Sequence, residues 1–418
     1  MKNLEIIDFL RSILPIDLSV IPETAYVVGG AVRDAFLQRH RDTIDLDFVL
    51  PRDAIKTAQL IATLYHGGFV VLDQKRQIAR VVLANVTLDF AQQEGDTIYH
   101  DLQRRDYRLN AIAANLHGKE LIDPLDGEKD ILNGVIRMVS PENLKDDPLR
   151  LFRAYRQASQ LNFTIDSDTR KTIQELAPSL SHVAMERVKT ELDYLLASDN
   201  YIQYLSLANQ DEILSFCLPN LTAQSLQELS HIDDFITLLA QKYSYFSSKH
   251  STNNDFCQLN ITNYILIKLA FLVSSDEKKV KEELVNLKCS NQEIKVVNTI
   301  IKYLPDIFKF DINITIREQY FFFVNTGNIL PLLMVVAGVK GADFPVIELL
   351  LNRYFNPDDL IAHSRPLISG HDLINHLNMK PSPLIKTILT EVEIAYLEGK
   401  FNDRQGALDY ANSLIRGY

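Results

Sequence analysis

An α+β head followed by an all-helical remainder is the architecture this sequence predicts. Two observations carry the head: short apolar runs punctuated by turns before residue 140, and period-two alternation around Asp45. One carries the remainder: from Asp146 the chain changes to long amphipathic helical patterns with few glycines. In order, Tyr26-Val27-Val28 reads as a strand stopped by Gly29-Gly30, and Ala31–Gln38 as a helix. Leu46–Leu50 is a second strand, with Asp45 and Asp47 on one face and Leu46 and Phe48 on the other. Phe69–Leu72 and Ile78–Leu83 form a hairpin around Gln74-Lys75-Arg76, and Thr87–Phe90 is a further strand. These strands predict a small mixed sheet. Ser244–Asn254 is polar enough to be a loop or linker. The expected domains are a head at 1–138 followed by helical segments at 139–200, 201–300 and 301–418.

Composition bounds the class. The 418 residues are 46% hydrophobic and 23% charged, an ordinary globular balance that excludes wholesale disorder and collagen-like repeats. Lys and Arg number 43 against 54 Asp and Glu, a formal charge of −11, so bulk charge does not draw this chain to nucleic acid. A local basic cleft stays open. Cys217, Cys257 and Cys289 are scattered without a CxxC pair, which suits a reducing compartment and argues against zinc. Glu5 and Asp8 interrupt any apolar signal core, and Phe321–Val324 and Leu330–Val336 are too short to span a bilayer. A soluble cytoplasmic protein with no membrane partner is expected. No protein partner is deducible.

Three groups of residues in the head carry chemistry. In Val28-Gly29-Gly30-Ala31-Val32-Arg33-Asp34, a strand runs through two glycines into a helix whose first N–H groups can take a phosphate, with Arg33 as a charged donor. A plain tight turn explains the same residues. Asp45-Leu46-Asp47 projects two carboxylates from one strand face, a set suited to Mg²⁺ in two-metal phosphoryl transfer. A solvated strand edge is the bland alternative. Asp89, in Val86-Thr87-Leu88-Asp89, can supply a third carboxylate from a neighbouring strand. In Arg104-Arg105-Asp106-Tyr107-Arg108-Leu109-Asn110, the arginine forks can bind phosphate oxygens and Asn110 can reach a ribose hydroxyl, although a charged face is also possible.

Taken in order, these groups resemble the head of the class II tRNA nucleotidyltransferase and bacterial poly(A) polymerase family. Leu121-Ile122-Asp123-Pro124-Leu125-Asp126-Gly127 is similar to the motif closing that head. Asp146-Asp147-Pro148-Leu149-Arg150-Leu151-Phe152-Arg153-Ala154-Tyr155-Arg156 resembles the neck motif that reads the incoming base, and Glu186-Arg187-Val188-Lys189-Thr190-Glu191 the motif bracing the neck. The neck residues also argue for themselves. Asp147, Arg150, Arg153 and Arg156 recur every three positions, so Asp147 and Arg150 should share a helix face. Their acceptors and donors can mimic a base edge and match C and A, with Arg153 and Arg156 aimed at the triphosphate.

The resemblance implies a template-independent enzyme that adds nucleotides from CTP and ATP to the 3′ end of tRNA with Mg²⁺, releasing pyrophosphate. Asp45, Asp47 and Asp89 would be catalytic, the first two as metal ligands. Gly29, Gly30, Arg33, Arg104, Arg105, Asp106, Asn110, Asp147, Arg150, Arg153 and Arg156 would handle the nucleotide, and Glu186 and Arg187 the neck. The alternative is a poly(A) polymerase acting on general RNA ends. Departures are Asp146-Asp147 where the family has Glu-Asp, and Tyr107-Arg108 where it has Phe-Thr. The loop governing terminal A addition corresponds to Val71–Arg80, and CCA, A or CC addition stays open. Farther on, Ser369-Gly370-His371-Asp372, Pro381-Ser382-Pro383 and Tyr396–Lys400 resemble the tail that grips the tRNA elbow. His371-Asp372 lacks companion ligands for a metal phosphohydrolase, so Asp372 is expected to cap a helix. Tyr320–Phe323 is expected to divide between core and groove.

Overall fold

The computed structural model describes residues 3–40, 43–84, 86–247, 259–377 and 379–416. The chain separates into two compact units, Met1–Cys217 and Leu218–Tyr418.

The first unit opens with α1 (Asn3–Ser12), then β1 (Tyr26–Val28), α2 (Gly30–Phe36), β2 (Ile44–Leu50), α3 (Ala54–Leu64), β3 (Gly68–Asp73), β4 (Ile78–Leu83) and β5 (Val86–Gln92). There follow α4 (Ile98–Gln103), β6 (Ala113–Asn115), β7 (Glu120–Ile122) and α5 (Gly127–Asn133). A seven-stranded mixed sheet in the order β3-β4-β5-β2-β1-β6-β7 organises them. Within this sheet, among the described residues, β2 and β5 are the parallel pair, in a register that sets Asp47 opposite Asp89. Alternation along β2 buries Leu46 and Phe48 and leaves Asp45 and Asp47 outward. Phe48 stacks on Phe90 at 5.0 Å, so the same pleat that exposes the carboxylates anchors the strand behind them.

Helices complete this unit: α6 (Pro141–Asp146), α7 (Leu149–Leu161), α8 (Ser167–Leu176), α9 (Met185–Leu196) and α10 (Tyr201–Gln210). Leu151, Phe152, Ala154, Tyr155 and Ala158 bury the inner face of α7. Its seat is locked by Asp211, just beyond α10. That carboxylate accepts the Tyr155 hydroxyl at 2.7 Å, Arg170 of α8 at 2.6 and 2.8 Å, and Gln174 at 2.6 Å. With every partner supplied, the carboxylate stays charged despite its burial, and its pKa is lowered.

The second unit has helices and no strand among its described residues. Ile316–Val339 is long and apolar enough to cross a membrane, yet two-thirds of that stretch is buried. It is two helices, Ile316–Thr326 and Leu330–Val339, broken at Gly327 with φ +49. Leu330 through Ala337 are wholly core. Tyr320, Phe322 and Phe323 are buried and Phe321 is exposed, the division expected of that run. Ser369 and Asp372 cap the helix Gly370–Leu377, and Asp372 also accepts from Arg404, so that Asp is a cap. Pro381-Ser382-Pro383 leads into the helix Leu384–Leu397. Of the expected linker, 244–247 forms a short turn with Tyr245 and Phe246 buried, and residues 248–254 lie outside the described residues, as does Cys257.

Candidate active site

The site begins where β1 ends. Gly29 sits at φ +73 and ψ −131, a conformation L side chains rarely adopt and one that costs them about 1–3 kcal/mol. A Cβ there would lie 3.4 Å from Arg105 Nη1 and 3.6 Å from Asp47 Oδ2. Gly29 is thus where the backbone, the arginine run and the β2 carboxylates converge. Asp47 keeps an exposed edge, but crowding by protein atoms raises its pKa, and Asp89 and Asp45 push the same way while Arg105 opposes them.

That mutual repulsion favours a cation. Two outward carboxylates with room for solvent fit Mg²⁺, which takes one or two protein carboxylates and fills its shell with water and substrate phosphates. Asp89 is placed differently. Antiparallel register sets it across from Arg80, which binds both its oxygens at 2.8 Å. Among the described residues no group of three or more His, Cys, Asp or Glu side chains is arranged to hold a metal.

Beyond Val49 opens a cleft of about 650 Å³, lined by Arg104, Arg105, Asp106, Asp147, Arg150 and Arg153 from the expected set. Arg105 is steadied by Asp101 at 3.0 Å and Arg104 by Glu94 at 3.1 Å. Asp147 and Arg150 do not share a helix face, contrary to the sequence reading. Pro148 disfavours helical backbone in the residue before it. So α6 ends at Asp146, Asp147 is extended at φ −135 and ψ 95, and α7 starts at Leu149. The two side chains meet the same cleft from either side of that break. Arg187 holds Asp147 at 2.9 Å. Arg150 Nη1 donates to the carbonyls of Arg104 and Asn143 at 3.0 and 2.8 Å.

Three expected nucleotide contacts are turned inward. Arg33 is buried, donating to Asp34 at 2.8 and 2.9 Å and to Asn110 at 2.9 Å. Asn110 in turn donates to Asp106 at 3.1 Å and Gln157 at 2.8 Å. Arg156 pairs with Glu191 and Gln160 rather than lining the cleft. Asp106 is buried and anchors this network. Burial alone would raise its pKa, but Arg153 at 2.9 Å, Asn110 and the Tyr107 N–H hold it at about 2. Tyr107, where the family has Phe, adds a hydroxyl that donates to the Arg150 carbonyl. Arg108 does not line the cleft. Glu186 is exposed, and Glu191 is the neck carboxylate that reaches both Arg153 and Arg156.

Sequence reasoning did not single out Arg76, Gln92, Glu94 and Asp101, which also line the cleft. Asp101 was within reach, being four residues before Arg105 on a helical turn. Arg76, between β3 and β4, joins the lining only through the packing of the sheet beside the cleft.

Comparison with known proteins agrees with this geometry. The family model for the poly(A) polymerase head domain matches residues 25–137. That for the "Probable RNA and SrmB- binding site of polymerase A" matches 162–225, and that for tRNA nucleotidyltransferase domain 2 matches 258–411. A CC-adding tRNA nucleotidyltransferase of Synechocystis sp. is 45% identical over 407 residues, covering 97% of each chain. A CCA-adding enzyme of Leuconostoc mesenteroides is 27% identical over 401 residues, covering 92% of this chain and 91% of the relative. Among solved structures, a CCA-adding enzyme with ATP aligns at TM-score 0.71 and 21% identity, covering 94% of this chain and 91% of that one. The Thermotoga maritima CCA-adding enzyme complexed with tRNA aligns at 0.66 and 20%, covering 93% and 91%. A head sheet with outward paired aspartates, an arginine-lined cleft beside it and a relative matched end to end lead to one conclusion: the chain belongs to the tRNA nucleotidyltransferase family with a poly(A) polymerase-type head.

Proposed function

We propose that this protein adds cytidylates from CTP to the 3′ end of tRNA, without a nucleic-acid template, and stops after CC. The observation that carries transfer is the single cleft in which Asp147 and Arg150 face Arg104 and Arg105 beside the β2 carboxylates. Asp147 offers acceptors and Arg150 donors to the base edge, and Arg187 fixes the carboxylate's direction. Arg104, Arg105 and the Gly29-Gly30 turn receive the triphosphate, while Arg33, Asn110 and Asp106 position Arg153 and the floor from beneath. Asp45 and Asp47 would hold Mg²⁺, which when bound supplies charge stabilisation for phosphoryl transfer. The RNA 3′-hydroxyl attacks the α-phosphorus of CTP, one P–O bond forms, and the bond to the β-phosphate breaks with pyrophosphate leaving. Asp89 serves this site through Arg80.

Stopping at CC is supported by the 45% identical relative, a CC-adding enzyme, against 27% for a CCA-adding one. The stretch that the family resemblance assigns to terminal A addition is here a hairpin, β3 and β4 joined through residues 74–77. Three scattered cysteines with no CxxC pair favour a reducing, cytoplasmic setting. We assign the head to 1–138, the neck to 139–200, the body to 201–300 and a tRNA-binding tail to 301–418.

The test uses three tRNA transcripts, ending at the discriminator base, after C and after CC, with Mg²⁺ and CTP or ATP given separately. Addition of C, C and then nothing is expected. Addition of A to the CC-ended transcript would establish complete CCA synthesis instead, and long A tails on unrelated RNA would indicate a poly(A) polymerase.

A further inference from the structure

A second, smaller cavity of about 80 Å³ sits at the opposite end of β2 from the nucleotide cleft. Val49 lines the large cleft, and Ile44 and Asp45 line the small one. Phe9 and Ile13 contribute apolar wall, and Arg39, His40, Thr43 and Asp34 polar wall. Arg39 lines this cavity, and its Nη1 is buried with no hydrogen-bond partner. A buried guanidinium nitrogen left unpaired is costly, and the neighbouring Asp34 carboxylate is already engaged by Arg33.

We propose that Arg39 binds a phosphate of the acceptor RNA, the phosphodiester immediately 5′ of the nucleotide whose 3′-hydroxyl attacks. This rests on the transferase reading above. In-line displacement places the attacking and leaving oxygens on opposite sides of the phosphorus. The arginines lining the large cleft take the pyrophosphate side, so the attacking strand must arrive from the Asp45 end of β2. Among the described residues lining that cavity, Arg39 is the one with a buried nitrogen in need of an acceptor, and a guanidinium fork matches a phosphodiester's two free oxygens. The small cavity has room for a phosphate group and the large one for a nucleotide.

The test is steady-state C addition to a tRNA transcript ending at the discriminator base, by wild type, Arg39→Gln and Arg39→Lys. Arg39→Gln should raise KM for tRNA about tenfold, as loss of a charge-assisted phosphate contact does, and leave KM for CTP unchanged. Arg39→Lys should retain part of the affinity. A transcript with an uncharged methylphosphonate at its last linkage should weaken binding to wild type similarly and cost Arg39→Gln nothing more. A rise in KM for CTP instead would move the phosphate to the incoming nucleotide and overturn the assignment. So would a full methylphosphonate penalty persisting in Arg39→Gln, unchanged kinetics, or a lowered melting temperature with both KM values rising together. Wild-type protein that adds no C to any transcript would overturn the transferase reading itself.

Discussion

Asp106→Asn separates the buried network from the chemistry it supports. The amide keeps the carboxylate's shape and can still accept from the Tyr107 N–H, but it turns an NH2 or a neutral oxygen towards Arg153. A carboxyl held at about 2 rather than 3.8 contributes roughly 2 kcal/mol of stability at neutral pH. The sign follows from the folded carboxyl titrating below the unfolded one. The stabilisation is complete above about pH 4, falls to about half near pH 3 and is lost below about pH 2. For a unit the size of Met1–Cys217, the substitution should lower the melting temperature by about 4–8 °C at pH 7. It should also raise KM for CTP, because Arg153 and, through α7, Arg150 lose their footing. Thermal melts followed by far-UV circular dichroism at pH 7, 4 and 3 read this directly. A variant that melts with wild type at pH 7, or a difference as large at pH 3 as at pH 7, would refute the argument.

Asp45→Asn and Asp47→Asn should each cut C incorporation at least about 10³-fold while leaving tRNA retention in a filter-binding assay intact, as expected of charge that acts on the reacting phosphate. Gly29→Ala should destabilise the first unit by about 1–3 kcal/mol from backbone strain and weaken CTP binding by pressing on Arg105, seen as a lower melting temperature and a raised KM. Arg187→Ala removes the contact that orients Asp147, so CTP-over-UTP discrimination should fall several-fold with little change in melting temperature, since that pair is half exposed.

The β1–turn–α2 unit, the outward Asp45 and Asp47 and the β3–β4 hairpin were all legible, because each is encoded within a few neighbouring positions by alternation, glycine and turn chemistry. The order of motifs through residue 191 was legible for the same reason, and it brought the family with it. Asp147 and Arg150 were misread as one helix face because the three-residue spacing was weighed without Pro148 between them. No local signal placed Arg33, Asn110 and Arg156 beneath the cleft. Their partners lie up to 77 residues away in sequence, and long polar side chains settle on whichever buried charge the packed elements bring within reach. By itself the sequence determined the fold class, the paired carboxylates and the chemistry they suit. Only the tertiary structure decided which charged side chains face the nucleotide and which are spent holding those in place, because burial makes an unpaired charge too costly to leave to chance.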